Sequence, residues 1–475
     1  MTGVFDLEAV RRRLDSAPDG ARLKPVGLQT VVLGDGALEA LPETVAGLVG
    51  TRGGPVGVLS DLTPKLYRSL DLLEHVTESL ASSTGVRGVF VGTPGHGAHA
   101  DEQTLAKATR DCEGVACLVA VGSGTVTDIG KVVAATHGFG YVVVQTANSV
   151  NGFADDRSVL LVNGVKRTSL STWPDALIAD IDVLAEAPVE MNAAGLGDLS
   201  AMFTAPADWY LATSLGMDDS YSPSAVALAR EQGPALLEAA RLVPDADRTA
   251  LSQVAATLTL SGISMGIAGT TAPCSGMEHA VSHLLEMAAV AGGRKAALHG
   301  SQVGVSTVVA GLLWRRVLEE LADDGLSRVQ VPDALEAETA VRKAFAGIDP
   351  SGAMAAECWR DYEAKLGRWA RSGELIELAA GRWRSHDRAL RDLLVGPEVL
   401  VAALHDGGAP VQFSELTPPV DGEAARWAVA NCRFLRNRLS VADMALFLGI
   451  WDEPLVDALL DDAAELARLA RVEPV

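Results

Sequence analysis

Cysteine and aromatic residues are scarce in this sequence of 475 residues, which contains five cysteines and 5% aromatic residues. The cysteines are odd in number and scattered, at positions 112, 117, 274, 358 and 432. The two nearest ones are too far apart for a Cys-x-x-Cys pair. This usage argues against a disulfide-stabilised secreted fold and is typical of reduced thiols, so we expect a cytoplasmic protein.

Basic residues are also few: 39 Lys and Arg stand against 61 Asp and Glu, which gives a net charge of −22. Nucleic acids and anionic membranes attract basic surfaces, so we expect neither as the main partner. A small anionic substrate is still compatible with this composition, because one local pocket can oppose the overall field.

Long hydrophobic runs are absent. No stretch reaches about 18 uncharged apolar residues, and residues 1–20 lack the apolar core of a signal peptide, so we expect no membrane span. Hydrophobic residues make up 48% and charged residues 21% of the chain, as in globular proteins with a sizeable core. The length allows about three domains, or two large ones.

Short valine-rich runs alternate with helix-length segments in the first part of the chain. The runs cover residues 28–34, 54–61, 86–92, 116–122 and 140–146. This alternation predicts βαβ units with a parallel sheet that is buried on both faces. Asn163-Gly164 predicts a two-residue hairpin, and residues 175–181 predict one further strand.

From about residue 186, apolar residues recur at spacings of three and four nearly to the end, which predicts helices. We therefore expect an α/β domain with a parallel sheet over residues 1–185 and an all-α domain over residues 186–475. The active site is expected in the cleft between the two domains.

The segment "AVGSGTVTDIGK" places Gly122, Gly124 and Thr125 after a predicted strand and at the start of a helix. Backbone N–H groups at a helix start bind phosphate, and glycine lets the ligand approach the backbone. The pattern departs from Gly-x-Gly-x-x-Gly, because Thr127 holds the position of the third glycine. A plain tight turn is therefore the alternative interpretation.

Asp61 ends the second predicted strand, downstream of another glycine-rich turn around Gly36. A carboxylate in this place suits the ribose diol of NAD and opposes the 2′-phosphate of NADP. Alternatively, Asp61 caps a helix over residues 62–70. The two glycine-rich turns and the acid together favour a dinucleotide cofactor.

Two histidines four positions apart, His279 and His283, lie in the apolar run "APCSGMEHAVSHLLEM". Residues at i and i+4 share one face of a helix, so both imidazoles can point into one site. His299 follows a glycine-rich break, and Asp198 of "AAGLGDL" is the most suitable carboxylate. Three ligands and an open position form a catalytic metal site. Each histidine taken separately could instead be a hydrogen-bonded core residue.

Six motifs occur in the order found in sn-glycerol-1-phosphate dehydrogenases. They are "VAVGSGTVTDIGK", "QTANSVNGFADD", "ADIDVLAEAP", "AAGLGDL", "SGMEHAVSH" and "LHGSQVG". The chain therefore resembles this branch of the superfamily of iron-containing alcohol dehydrogenases, glycerol dehydrogenases and dehydroquinate synthases. The resemblance is clear from about residue 28 to 310 and looser over residues 432–450.

The resemblance implies a dehydrogenase with an α/β, Rossmann-like dinucleotide-binding domain over residues 1–185 and an all-helical domain over residues 186–475 that binds metal and substrate. It would use NAD, with NADP as the alternative, and one divalent metal. The metal would be zinc, with nickel or iron as alternatives, and it would be held by Asp198, His279 and His299, with His283 beside the substrate. Together with Asp61, the cofactor contacts would be Gly122, Ser123, Gly124, Thr125, Asp128, Thr146, Ser149 and Asp155. Family members also suggest a homo-oligomer.

Three residues depart from the family pattern. Asn151 stands where the family has a substrate-contacting Asp, Asp155 where it has Ser, and Met202 where it has Lys. We keep Asn151 among the catalytic residues, although its amide can form hydrogen bonds but cannot act as a general base. The loss of a lysine and the gain of a carboxylate would weaken a phosphate subsite.

We expect hydride transfer between NAD(P)H and a small ketone, with dihydroxyacetone phosphate and sn-glycerol 1-phosphate, or a related polyol or phosphate, as the substrate pair. The metal would polarise the carbonyl, and His283 would pass a proton, directly or through a water.

One alternative is a dehydroquinate synthase-like lyase that uses NAD transiently. Another is a cofactor-binding protein that has lost turnover. A non-haem iron oxygenase also uses two histidines and a carboxylate, but its reaction does not require the glycine-rich turns that bind a dinucleotide.

Overall fold

The structure is a computed structural model that describes residues 5–50, 53–82, 84–93, 97–322 and 325–472. The chain divides into two compact units. Unit 1 comprises Met1–Val162, Lys166–Gly195 and Ala227–Thr270, and unit 2 comprises Asn163–Val165, Leu196–Val226 and Thr271–Val475. A single domain boundary near residue 185 stays a prediction. The compact units differ from it mainly because residues 227–270 belong to unit 1.

Unit 1 is built on a parallel sheet of six strands. The strands in chain order are β1 (Thr30–Gly34), β2 (Val56–Asp61), β3 (Leu66–Tyr67), β4 (Leu70–Asp71), β5 (Val86–Val91), β6 (Cys117–Gly122), β7 (Gly140–Gln145), β8 (Arg157–Val162), β9 (Val165–Leu170) and β10 (Ala176–Asp180). The large sheet has the order β1-β10-β7-β6-β2-β5, and the pairs β3-β4 and β8-β9 form two small sheets. The predicted parallel sheet and the hairpin at Asn163-Gly164 are confirmed.

The unbroken valine runs reflect burial on both faces of this sheet. Every residue of β6 is buried, and Val58, Val119 and Val142 are at most 1% exposed. A strand that is covered on both sides has no solvent face, so its sequence does not alternate between apolar and polar residues.

Helices accompany the sheet in unit 1 and make up most of unit 2. In chain order they are α1 (Leu7–Asp15), α2 (Leu41–Val49), α3 (Leu72–Ala81), α4 (Glu102–Asp111), α5 (Gly124–His137), α6 (Ile181–Ala185), α7 (Val189–Ser200), α8 (Ala205–Ser214), α9 (Pro223–Arg230), α10 (Gly233–Ala240), α11 (Arg248–Ala268), α12 (Met277–Ala291), α13 (His299–Leu321), α14 (Ala334–Phe345), α15 (Ala353–Arg371), α16 (Gly373–Gly381), α17 (Trp383–Leu393), α18 (Pro397–Asp406), α19 (Gly422–Asn431), α20 (Val441–Phe447) and α21 (Glu453–Ala470). The expected fold class, an α/β Rossmann-like region followed by a helical region, is confirmed.

Helix α11 is long and apolar enough to cross a membrane by length and composition, the one such helix in the part of the chain that the structure describes. Of the most apolar 18-residue stretch of this helix, 83% is buried inside the structure. Burial on all sides is what an apolar core helix shows. The five cysteines are likewise buried and form no disulfide.

The segment after Asp61 differs from one of the two predictions made for it. Residues 66–71 form the short antiparallel pair β3-β4, and α3 begins only at Leu72, with the carboxylate of Asp71 as its N-cap. The interpretation that Asp61 caps a helix over residues 62–70 is therefore wrong. Lys65 and Asp61 instead form an ion pair at the end of β2.

Candidate functional site

Asp198, His279 and His299 come together within unit 2, although they lie on three different helices. Asp198 is near the end of α7, His279 is in the first turn of α12, and His299 is the first residue of α13. Asp198 Oδ1 lies 3.3 Å from His279 Nε2 and 3.8 Å from His299 Nε2. Ligands about 2 Å from a tetrahedral zinc ion are about 3.3 Å apart, so this spacing suits one cation.

Close packing of backbone on backbone brings α7 and α13 together. A Cβ atom on Gly197 would lie 2.2 Å from the carbonyl oxygen of Gly300, and a Cβ on Gly304 would lie 2.9 Å from Gly197 Cα. Glycine is therefore required at this crossing, because any side chain would push the helices apart. Since Gly197 precedes Asp198 and Gly300 follows His299, the contact sets the distance between these two ligand residues.

In both candidate ligand histidines, Nδ1 lies next to a hydrogen-bond acceptor. His279 Nδ1 lies 3.1 Å from Glu278 Oε1. His299 Nδ1 lies 3.0 Å from Ser282 Oγ and 3.4 Å from Glu286 Oε1. With the proton on Nδ1, each ring presents the lone pair of Nε2 to the point where Asp198 also faces, as metal-binding histidines do.

The site concentrates negative charge in a buried place. Asp198, Glu278 and Glu286 are each at most 7% exposed. Burial alone lowers the pKa of His279, but the carboxylates of Asp198 and Glu278 outweigh it and raise the pKa above its ordinary value. A cluster that favours a cation on its histidine also favours a divalent metal ion, and the donor set of two Nε2 atoms and one carboxylate fits zinc or iron.

His283 lies beside this cluster, one turn after His279. Its ring centroid is 5.2 Å from that of His299 and 6.3 Å from that of His279. His283, Glu286 and His299 form a second group whose ligand atoms lie within 4.8 Å of one another. The two groups share His299, and the assignment of the metal to the group with Asp198 and His279 stays a prediction.

Several residues around the cluster were not predicted from the sequence. Glu278, Ser282 and Glu286 lie on the same helix as the histidine pair, and an acid next to a candidate ligand is a signal that a closer analysis of that helix could have used. Arg436 Nη2 lies 3.4 Å from His283 Nδ1. It comes from a distant part of the chain, and no local pattern connects it with the histidines.

The predicted nucleotide residues gather at one edge of the sheet in unit 1. The neighbouring strands β7, β6 and β2 run parallel, so their carboxyl ends lie side by side. Asp61 ends β2, Gly122 ends β6, and Thr146 directly follows β7. The Thr146 backbone N–H donates to the Gly122 carbonyl oxygen at 3.3 Å. Nucleotides bind at the carboxyl ends of parallel strands, so this edge suits a dinucleotide.

The turn between β6 and α5 leaves the start of a long helix accessible. Ser123, Gly124 and Thr125 are partly exposed, and no side chain of the described residues caps the first turn of α5. Cβ atoms on Gly122 and Gly124 would lie 2.5 Å and 2.7 Å from the side chains of Val126 and Val150. Packing therefore accounts for both glycines, and phosphate binding by the uncapped N–H groups stays a prediction.

Asp61 is not an isolated carboxylate. Its side chain forms an ion pair with Lys65 and accepts a hydrogen bond from the hydroxyl of Thr63 at 3.2 Å. Both Asp61 and Lys65 remain partly accessible, with side-chain exposures of 21% and 12%. A lysine in this position offsets part of the repulsion that the carboxylate exerts on a 2′-phosphate.

The loop that carries Asn151 and Asp155 is buried, with these side chains 8% and 2% exposed. Asp155 forms an ion pair with the fully buried Lys131. Lys131 Nζ also donates to the carbonyl oxygens of Gly152 and Arg157 at 2.7 and 2.8 Å. The carboxylate that the chain gains at position 155 is thus balanced internally, and its contacts do not support the predicted contact with the cofactor.

Asp128 belongs to the same buried group. Its Oδ2 accepts a hydrogen bond from the backbone N–H of Val159 on β8 at 3.2 Å. Burial raises the pKa of Asp128 to about 7, with Lys131 opposing the shift and Asp155 adding to it. This contact gives Asp128 a role between α5 and β8, and it does not support the predicted cofactor contact. Ser149 is 6% exposed, and its contact with the cofactor stays a prediction.

Comparison with known proteins agrees with this geometry. A family model for iron-containing alcohol dehydrogenase matches residues 32–188. The chain is 30% identical over 355 residues to the NAD(P)+ glycerol-1-phosphate dehydrogenase of Bacillus licheniformis, covering 74% of this chain and 84% of that protein. It is 34% identical to the corresponding enzyme of Methanosarcina barkeri, covering 44% of this chain and 58% of that protein.

Solved structures show a similar fold. A probable glycerol dehydrogenase from Sinorhizobium meliloti has a TM-score of 0.59 at 18% identity, covering 94% of this chain and 98% of its own. The glycerol dehydrogenase of Schizosaccharomyces pombe also has a TM-score of 0.59, at 16% identity, covering 94% of this chain and 92% of its own.

Replacing His279 or His299 with Ala should abolish binding of the divalent metal, because each change removes one of three ligands. His283→Ala should keep the metal content and lower turnover. Elemental analysis of the purified variants, after reconstitution with zinc, measures this directly. Full metal occupancy in His279→Ala, or metal loss in His283→Ala, would show that the cation belongs to the group of His283, Glu286 and His299 instead.

Replacing Asp155 with Ser restores the residue usual in the family but leaves Lys131 buried without its carboxylate. Breaking a buried ion pair from one side costs roughly 3–5 kcal/mol, so we expect the free energy of unfolding to fall by about this amount. Urea unfolding of the purified protein measures the change. The double variant Lys131→Met with Asp155→Leu removes both charges and should lose much less. Equal losses in the two variants would refute the pairing.

Proposed function

The chain belongs to the glycerol-1-phosphate dehydrogenase family among the iron-containing alcohol dehydrogenases and is an NAD(P)-dependent alcohol dehydrogenase, and we propose that it interconverts dihydroxyacetone phosphate and sn-glycerol 1-phosphate. Asp198, His279 and His299 hold a divalent metal in this proposal, and the turn from Gly122 to Thr125 binds the cofactor. Zinc is the proposed metal, with nickel or iron as alternatives.

The convergence of Asp198, His279 and His299 is the observation that carries the proposal. Three potential ligands from three helices have their ligand atoms within 4.8 Å of one another, and acceptors on both Nδ1 atoms orient the imidazoles. A chain that had lost turnover would have no reason to keep the glycines that allow this contact and the acceptors that orient the rings. The site therefore favours an active enzyme over a protein that only binds the cofactor.

When both are bound, the metal supplies a Lewis acid for the substrate oxygen and the reduced cofactor supplies a hydride. The residues of the chain perform the remaining tasks. The guanidinium of Arg436 faces His283 Nδ1, so this nitrogen accepts and His283 Nε2 carries the hydrogen. We assign to His283 Nε2, directly or through a water, the proton exchanged with the substrate oxygen. Burial of His283, at 2% exposure, limits access of bulk water.

Two observations point to different substrates. Met202 replaces a family lysine, and its side chain is fully buried within a short 3-10 turn, so position 202 offers no cation to a phosphate. Relatives named for glycerol 1-phosphate favour a phosphorylated substrate, whereas this loss favours an unphosphorylated polyol or ketone. A homo-oligomeric state stays a prediction.

The substrate assignment predicts a preference that can be measured. Metal-free protein is reconstituted with zinc, nickel or iron and assayed by NADH and NADPH absorbance against dihydroxyacetone phosphate and dihydroxyacetone. We expect the highest kcat/KM for the phosphorylated ketone, because an anionic group can use local positive charge. A higher kcat/KM for dihydroxyacetone would replace the proposal by a glycerol dehydrogenase activity. Turnover of a phosphorylated substrate without net consumption of NADH would instead indicate the lyase alternative.

Cofactor choice should depend on Asp61 and Lys65 in opposite directions. Asp61→Ser removes the charge that opposes a 2′-phosphate, so the preference for NADH over NADPH should fall about tenfold. Lys65→Met leaves the carboxylate unbalanced and should increase this preference. The ratio of kcat/KM values for the two cofactors measures both effects. A change in the same direction in both variants would contradict the assignment of these residues to the adenosine ribose.

A further inference from the structure

A cavity of about 250 Å³ in unit 2 lies against α12, the helix that carries His279 and His283. Four arginines line it: Arg368, Arg433, Arg436 and Arg438. Asp208, Asp218 and Asp219 also line it, and Lys365 is balanced by its buried ion pair with Asp443. Among the described residues, four guanidinium groups outweigh three carboxylates, so the wall is positive although the whole chain carries a charge of −22.

Arg436 is the cation that borders both the cavity and the histidine cluster. Its guanidinium lies 3.1 Å from Ser275 Oγ, 3.4 Å from Thr271 Oγ1 and 3.4 Å from His283 Nδ1. A guanidinium next to two hydroxyl groups is the donor set that proteins use for phosphate. A three-carbon substrate is short. Its phosphate group must therefore lie close to His283, the residue to which we assign proton exchange with the substrate oxygen.

Hydrogen bonds hold residues 433–438, the segment that carries Arg436 and Arg438, in place. Lys365 Nζ donates to the Arg433 carbonyl oxygen at 2.7 Å, and Arg368 donates to the carbonyl oxygen of Asn437. Arg438 Nη2 donates to the carbonyl oxygen of Ser275 at 2.9 Å. These bonds fix the segment before any ligand arrives, which lowers the entropic cost of binding.

One carboxylate links this segment to the histidine helix. Asp208 accepts from the backbone N–H of Met277, the first residue of α12, at 2.9 Å. It also accepts from the N–H of Val441, the first residue of α20, at 2.8 Å. The starts of both helices are therefore tied to the same side chain, and Arg436, shortly before α20, keeps its place relative to His283.

We propose that Arg436, with the hydroxyls of Ser275 and Thr271, forms a subsite for the phosphate group of the substrate and takes over the role of the lysine that is missing at position 202. The inference rests on the proposed function, since it names the anionic part of that substrate. The ligand class is a small phosphate monoester, and Arg438 supports the subsite by positive charge from the wall of the same cavity.

Kinetics of the metal-loaded protein test the subsite. Arg436→Gln should raise KM for dihydroxyacetone phosphate about 30-fold relative to KM for dihydroxyacetone, as expected for the loss of a charged hydrogen bond. It should lower kcat for both ketones alike, because Arg436 also contacts His283. Arg436→Lys should recover part of the loss. Arg371→Gln removes the same charge from an exposed position of unit 2 and is the matched control, with both KM values unchanged. An equal change in KM with both ketones would show that Arg436 only positions His283.

Binding of inorganic phosphate gives a readout that does not depend on turnover. Calorimetric titration of the metal-free protein should detect phosphate binding in the wild type and in Arg371→Gln, and the affinity should fall at least tenfold in Arg436→Gln. Acetate should not compete. Phosphate binding that is unchanged in Arg436→Gln would overturn the subsite, even if the enzyme is active. If the wild type binds phosphate through Arg436 but reduces no phosphorylated ketone, the proposed function fails and the subsite stands.

Discussion

The backbone contact between Gly197 of α7 and Gly300 of α13 is the constraint on which the geometry of the proposed metal site depends. A Cβ atom at position 197 would come within 2.2 Å of a carbonyl oxygen, so the two helices can be this close only with glycine. The neighbouring residues Asp198 and His299 are thereby brought to within 3.8 Å. The carboxylate of Asp198 and the imidazoles of His279 and His299 thus form the donor set that we propose for a divalent metal.

Buried carboxylates perform a second structural task in unit 2. Asp208 accepts hydrogen bonds from the first N–H groups of α12 and α20, and Asp443 caps α20 while pairing with Lys365. Burial raises the pKa of Asp208 well above its ordinary value, and the two backbone hydrogen bonds oppose this shift. Helix starts offer unpaired N–H groups, which is why acidic side chains are found at these places. The same bonds position the arginine-bearing segment next to His283.

The departures from the family pattern have compensating partners when they are considered in the folded chain. Asp155 adds a carboxylate, and Lys131 pairs with it inside unit 1. Met202 lacks the charge of the family lysine, and we propose that Arg436, which lies beside His283 on a different element, replaces it. A change that looks like loss of function in a motif can therefore be a relocation of charge.

Local patterns determined much of this protein. Valine-rich runs predicted the strands, because a strand covered on both faces cannot alternate, and the spacing of His279 and His283 predicted a shared helix face. These patterns report how much of a segment is buried, but they do not report what covers it. Only the tertiary structure decided that the ends of β2, β6 and β7 are neighbours, that Lys131 meets Asp155, and that Arg436 meets His283. Such partners lie far apart in the sequence, and the packing of the whole fold selects them, since loop length adds little to the cost of bringing them together.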